Sequence, residues 1–144
     1  MPTEHTYKQF DAELEAVRAN VLKMGGLVEE QITNAVDALI SGNMELADRV
    51  DANDHNVNAL EVSIDEDCTH IIARRQPAAG DLRLVMAIVK TITDLERIGD
   101  EAARIARKLA GWSITGTIIE KSTRVQKKVA TEWHQLVGAQ TIEE

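Results

Sequence analysis

The sequence predicts an all-α protein: an up-down-up antiparallel three-helix bundle with long helices, followed by a C-terminal loop and a candidate short fourth helix. Of its 144 residues, 44% are hydrophobic but only 3% are aromatic, so the core must be aliphatic. The only prolines are Pro2 and Pro77, which leaves long helices uninterrupted. Apolar residues also recur at steps of three and four along three long segments, the period of a helix with one buried face.

The first predicted helix runs from about Thr6 to Ser41. Its apolar positions are Phe10, Leu14, Val17, Val21, Met24, Val28, Ala35 and Leu39. Gly25 and Gly26 lie in its middle, where each glycine costs about 1 kcal/mol relative to alanine, so we expect a close helix contact or a bend there. The segment Ser41-Gly42-Asn43 ends this helix, and Asn43 can cap the next one.

The second predicted helix runs from Met44 to about Gln76, and the third runs from Asp81, as its N-cap, to about Gly111. The short connection around Pro77 forces these two helices to be antiparallel. Residues 112–117 are predicted to form a loop and residues 118–137 a fourth helix. We therefore expect a bundle domain over residues 1–111 and a separate C-terminal tail over residues 112–144.

Two pairs of carboxylates, Glu61 with Asp65 and Glu96 with Asp100, are the candidate functional residues. A spacing of four places both members of a pair on one helix face, one turn apart. The two glutamates are equidistant from the Pro77 turn, so an antiparallel hairpin brings them level. Because like charges repel unless they are neutralised, this arrangement predicts a cation between the helices.

Asp54 and Asn58 continue the same polar stripe on the second helix and are candidate further ligands. Oxygen donors alone suit Mg²⁺, Mn²⁺, Ca²⁺ or ferric iron rather than zinc or copper. Two other interpretations remain open. In one, the stripe is the solvated flank of a plain helical adaptor. In the other, the protein is a carboxylate-bridged metalloenzyme, although no Glu-x-x-His is present and His55 and His70 lie away from the stripe.

Charge and hydropathy exclude several other classes of protein. A net charge of −8 argues against a nucleic-acid partner. No apolar run is long enough for a membrane span, and no secretory leader is visible, so we expect a cytoplasmic protein without direct membrane insertion. The single cysteine, Cys68, fits a reducing compartment and a place in the core.

Four arginines are candidate docking residues for a protein partner. Arg74, Arg75 and Arg83 flank the Pro77 turn and form a basic tip, which would also interact favourably with a helix C-terminus. Arg97 belongs to a face of the third helix along which basic and acidic residues alternate. Weak ion pairs on an exposed surface explain that face equally well.

Several motifs together resemble the PhoU-type phosphate-signalling proteins. They are Phe10–Glu15 (FDAELE), Met24–Ile32 (MGGLVEEQI), Asn58–Asp65 (NALEVSID), Ile71–Pro77 (IIARRQP), Asp81–Arg83 (DLR) and Asp94–Ala102 (DLERIGDEA). The resemblance spans roughly residues 5–110. It implies three-helix bundles whose Glu/Asp-x-x-x-Asp motifs bind divalent metals or multinuclear iron clusters at the surface. Glu61, Asp65, Glu96 and Asp100 match those motifs, which implies iron, manganese or magnesium as the cofactor.

The same resemblance implies a non-enzymatic negative regulator of phosphate uptake and of the phosphate-starvation response. Its partners would be a phosphate ABC transporter ATPase and a membrane sensor histidine kinase, which would bring it to the inner face of the membrane. The family usually contains two tandem three-helix repeats, whereas this chain has one. We therefore expect self-association into a homodimer that rebuilds a six-helix arrangement.

Overall fold

The computed structural model describes residues 4–114 together with residues 124, 127–129, 131 and 132. Three helices pack on one another in an up-down-up bundle: α1 (Glu4–Ser41), α2 (Met44–Arg75) and α3 (Ala79–Ile114). At about 1.5 Å per residue they are about 48 to 57 Å long. The predicted fold class is therefore confirmed. None of the helices within the described ranges is long and apolar enough to cross a membrane.

Local chemistry sets the two turns of the bundle. Gly42 adopts a left-handed conformation with φ of 68° after α1. The Asn43 side chain then accepts a hydrogen bond from the Leu46 backbone N–H at 3.2 Å, which makes it the predicted N-cap of α2. At the other end of α2, Gln76 is left-handed and donates its backbone N–H to the Ile72 carbonyl at 3.2 Å, and Pro77 follows.

The third helix is longer at both ends than the sequence predicts. It begins at Ala79, so Asp81 lies in its first turn, where a carboxylate still interacts favourably with the helix dipole, and not at its N-cap. It continues to Ile114, so residues 112–114 are helical and the predicted loop there is wrong. One glycine at position 111 costs about 1 kcal/mol, which is too little to end a helix. The predicted loop residues 115–117 lie outside the described ranges.

Only six residues of the predicted fourth helix are described. Residues 124, 127–129, 131 and 132 are all helical. The rest of the predicted segment 118–137 lies outside the described residues. The predicted domain boundary falls inside α3, three residues before that helix ends.

The core is aliphatic and consists of two clusters of buried side chains, to which all three helices contribute. Met24, Ile64 and Ile92 are its largest fully buried apolar side chains, one from each helix. Cys68 is also buried, and burial together with the charges of Asp65 and Asp67 raises its pKa to about 11. The thiol is therefore protonated at neutral pH, which confirms Cys68 as a core residue.

At the end of the bundle near Gly42 the core consists almost entirely of small residues. Its buried members are Ala35, Ala38, Ala47, Val50, Ala102 and Ala106. These small side chains let the helices approach closely, and the partly buried Leu46 and Leu109 pack against them. The predicted core residue Leu39 is 46% exposed, and Ala38, three residues after the buried Ala35, takes its place.

Gly25 and Gly26 do not mark a close helix contact. A Cβ atom added at either position meets no atom within 4 Å, and α1 is continuous through both. We therefore predict that Gly26→Ala raises the free energy of unfolding by about 1 kcal/mol through helix propensity alone. Denaturant unfolding followed by circular dichroism measures this change, and a destabilised variant would contradict it.

Candidate functional site

Three of the four predicted site carboxylates lie along the groove between α2 and α3. Glu61 is half-buried on α2, Glu96 is half-buried on α3, and Asp65 is exposed one turn after Glu61. Desolvation, then the charge of Glu96 and then that of Asp65, raises the pKa of the Glu61 carboxyl above its usual range. The hairpin thus brings three of the four predicted site residues within electrostatic reach of one another.

The fourth residue, Asp100, already has a positive neighbour within the protein. Arg107 places its Nη2 atom 3.9 Å from Asp100 Oδ1 and its Nη1 atom 3.0 Å from Asp51 Oδ1. Arg107 therefore links α3 to α2 at one end of the groove. The sequence contains a signal for this contact, because Arg107 lies two helical turns after Asp100 on the same face.

Asp54 is directed into the core and not into the open groove. It is buried, and its Oδ1 atom accepts a hydrogen bond from Gln31 Nε2 on α1 at 3.4 Å. Gln31 also donates to the Val50 carbonyl at 3.3 Å, and its Oε1 atom has no hydrogen-bond partner among the described residues. Asn58 is half-buried between Asp54 and Glu61 along α2.

The four carboxylates do not form the single cluster expected from the sequence. Within the described part of the chain, no group of three or more His, Cys, Asp or Glu side chains is placed to hold a metal ion. Like charges repel in the absence of a counter-ion, and Asp100 and Asp54 have Arg107 and Gln31 as partners instead.

The remaining donors still fit a hard cation by their chemistry. Glu61 and Glu96 offer only carboxylate oxygens, and burial, followed by the negative charges of Glu96 and Asp65, raises the pKa of Glu61. Mg²⁺ is commonly held by one or two protein carboxylates while it keeps several waters, so a preformed cage of four is not required. Metal binding by these residues stays a prediction.

The four candidate docking arginines occupy three different environments. Arg74 and Arg83 are exposed on either side of the Pro77 turn. Arg75 is turned toward α1, where its Nη2 atom donates to Glu13 Oε1 at 2.9 Å and to Gln9 Oε1 at 3.2 Å. Arg97 is exposed halfway along α3, with its Nη1 atom 4.0 Å from Asp94 Oδ1. Arg75 therefore stabilises the bundle, and the exposed basic tip consists of Arg74 and Arg83.

The raised pKa of Glu61 predicts a pH-dependent stability. Between pH 4.5 and the folded-state pKa, the folded state binds more protons than the unfolded state, so stability falls as pH rises through that window. In the presence of a chelator, Glu61→Gln should therefore be more stable than the wild type near neutral pH, and the difference should vanish below pH 4.5. Denaturant unfolding at several pH values measures it. A difference independent of pH, or one shared by the exposed control Glu66→Gln, would contradict this prediction.

The fold and the groove together define the class of protein: a three-helix bundle with carboxylates between its second and third helices. Residues 21–109 match the model of the PhoU domain. The chain therefore belongs to the PhoU domain family, as its motifs indicated.

Relatives of known name agree with this assignment. The chain is 55% identical over 106 residues to the phosphate-specific transport system accessory protein PhoU homolog of Pseudomonas aeruginosa, covering 74% of this chain and 44% of the relative. It is 55% identical over 104 residues to the phosphate-specific transport system accessory protein PhoU of Escherichia coli K12, and the alignment covers 72% of this chain and 43% of that relative. The chain thus spans less than half the length of these curated relatives.

Solved structures are similar to the same bundle. The crystal structure of PhoU from Pseudomonas aeruginosa superposes with a TM-score of 0.71 and 47% identity, covering 84% of this chain and 61% of that one. The crystal structure of the phosphate transport system regulatory protein PhoU from Streptococcus pneumoniae superposes with a TM-score of 0.65 and 36% identity. The superposition covers 70% of this chain and 48% of that one.

Proposed function

We propose that this chain is a non-enzymatic accessory protein of phosphate transport that represses phosphate uptake and the phosphate-starvation response. The single observation that carries the proposal is the PhoU-domain match over residues 21–109. Relatives with more than half of the aligned residues identical are named accessory proteins of phosphate-specific transport. The chain would act in the cytoplasm, at the inner face of the membrane, by docking to the ATPase of a phosphate ABC transporter and to a sensor histidine kinase.

A hard metal ion is the second part of the proposal. Glu61 and Glu96 would hold it, with Asp65 as the nearest further donor, and iron, manganese or magnesium suits their oxygen atoms. The ion would neutralise the charges of Glu96 and Asp65, which add to burial in raising the pKa of Glu61. Asp100 could join a larger or multinuclear site only by leaving Arg107, and Asp54 only by leaving Gln31.

The exposed tip of the bundle is the docking surface we assign to the partners. Arg74 and Arg83 present two positive charges beside the Pro77 turn in a chain of net charge −8. An acidic surface on the ATPase or the kinase would complement them. Arg75 is left out of this surface because Glu13 already neutralises it.

A plain helical adaptor without metal is the alternative function that one observation favours. No described group of three or more metal-ligating side chains is in place, so the groove could remain a solvated flank. A metalloenzyme has less support, because His55 and His70, the two histidines of α2, are exposed.

Gene replacement tests the function. Deleting the gene should activate a phosphate-starvation reporter in phosphate-rich medium, and restoring the full chain should silence it. Arg74→Glu/Arg83→Glu should fail to silence it. An unchanged reporter after deletion would remove the functional proposal.

The same reporter separates the metal-binding protein from the adaptor. Glu61→Gln/Glu96→Gln should leave the reporter active, whereas the control Glu45→Gln/Glu66→Gln, which removes two exposed charges from α2, should silence it. Silencing by both double variants would favour the adaptor.

A further inference from the structure

The middle of the groove between α2 and α3 contains negative charge that the protein does not balance. Glu61 and Glu96 are half-buried there. Three causes shift the pKa of Glu61, namely burial, the charge of Glu96 and the charge of Asp65, and all three raise it. A nearby positive charge would lower the pKa instead. The described side chains therefore supply no cation that acts on Glu61.

One end of the groove, beside the turn between α1 and α2, has a positive charge of its own. Arg107 of α3 places its Nη1 atom 3.0 Å from Asp51 Oδ1 of α2 and its Nη2 atom 3.9 Å from Asp100 Oδ1. A guanidinium stays charged across the physiological pH range and holds its N–H donors in a fixed fork. Carboxylates of two helices thus share one cation, as they would share a metal ion.

The buried amide of Gln31 withholds a third carboxylate from the same end of the groove. Asp54 follows Asp51 by three positions on α2, so the two lie on neighbouring parts of one helix face. Asp54 is only 7% exposed, however, and its Oδ1 atom accepts a hydrogen bond from Gln31 Nε2 at 3.4 Å. Gln31 is itself fully buried on α1. Asp51 and Asp100 are thus left with Arg107 as their common partner.

We propose that Arg107 is a built-in cation that takes the place of a second metal ion, so that the groove holds one hard ion at Glu61 and Glu96 and no cluster. A second divalent ion beside Arg107 would meet a like charge and two carboxylates that are already engaged. The site of the first ion rests on the proposed function. The role of Arg107 rests on its own contacts and is tested separately.

Equilibrium dialysis against Mn²⁺, followed by elemental analysis, counts the ions per chain. The wild type should hold one manganese. Arg107→Met should hold two, because it removes the charge between Asp51 and Asp100 and leaves a side chain of similar length. Arg107→Lys, which keeps the charge, should hold one. The matched control is Arg104→Met, because Arg104 lies on the same helix, is 54% exposed and pairs with Glu101 at 2.9 Å. It should also hold one.

A further substitution locates the additional ion. Arg107→Met/Asp100→Asn should return to the wild-type count, because it removes one of the two carboxylates that the ion would need. Thermal unfolding followed by circular dichroism is the second readout. Mn²⁺ should raise the Tm of Arg107→Met by more than it raises the Tm of the wild type, since an additional ion bound only to the folded state stabilises that state.

The outcomes separate this inference from the proposed metal site. The role of Arg107 would be overturned by a wild type that already holds two ions, or by an Arg107→Met variant that gains neither manganese nor Tm over the wild type. A gain that persists in Arg107→Met/Asp100→Asn would overturn it as well, because the ion would lie elsewhere. A wild type without manganese, together with a gain of one ion in Arg107→Met, would remove the site at Glu61 and Glu96 and uphold the role of Arg107.

Discussion

Replacing Ile64 by alanine is expected to lower the free energy of unfolding by about 2–5 kcal/mol. Ile64 of α2 is 0% exposed, and its side chain belongs to the larger of the two buried clusters, together with residues of α1 and α3. The substitution removes buried methyl and methylene groups and leaves a cavity in a rigidly packed interior. Domains of this size are stable by only about 5–15 kcal/mol, so this one change would remove a large part of the total.

The matched control for Ile64→Ala lies two residues earlier on the same helix. Val62 is 57% exposed, so Val62→Ala should change stability by no more than about 0.5 kcal/mol. Urea unfolding of both variants measures the difference. If the dependence of the unfolding free energy on urea concentration is the same as in the wild type, the variants unfold from the same fold. Equal effects at the two positions would contradict the assignment of Ile64 to the core.

Replacing Gly99 by valine is expected to cost about 1–3 kcal/mol by overpacking. A Cβ at position 99 would stand 3.0 Å from Gln31 Oε1 and 3.5 Å from side-chain atoms of Val28 and Val57. Gln31 cannot move away easily, because it is fully buried and its Nε2 atom is bound to the Val50 carbonyl and to Asp54. Glycine at position 99 therefore allows α3 to approach α1 closely.

Gly26→Val is the control for this prediction, because a Cβ at position 26 meets no atom within 4 Å. It should leave stability nearly unchanged. In a double-mutant cycle, Gln31→Ala should recover part of the stability that Gly99→Val loses, since it removes the atom that the new Cβ would meet. If the two substitutions changed the free energy of unfolding independently, the contact between position 99 and Gln31 would be contradicted.

Local signals account for most of the fold that the sequence predicts. The segment Ser41-Gly42-Asn43 contains the left-handed residue and the cap that the turn requires, and Pro77 ends the second helix. The exchange of Leu39 for Ala38 in the core was not predictable from α1 alone. It depends on how closely the alanines of α2 and α3 let the helices approach, which is a property of all three helices together.

The sequence likewise predicts one part of the candidate site, the part that depends on local spacing. Helical spacing and an antiparallel turn suffice to bring Glu61 level with Glu96. The sequence also contains an overlooked signal, since the step of seven between Val28 and Ala35 leaves Gln31 on the buried face. The partner of Asp54, however, is Gln31 on α1, 23 residues away, and Arg107 reaches Asp51 on α2 as well as Asp100 on its own helix. Only tertiary packing decides between a shared cation and these contacts.

Equilibrium dialysis against Mn²⁺, followed by elemental analysis, tests directly whether the groove between α2 and α3 binds a hard cation. The wild type and the control Glu45→Gln/Glu66→Gln should retain bound manganese, whereas Glu61→Gln/Glu96→Gln should retain none above background. A wild type that holds no manganese, magnesium or iron, or a Glu61→Gln/Glu96→Gln variant that holds as much as the wild type, would contradict the proposed metal site.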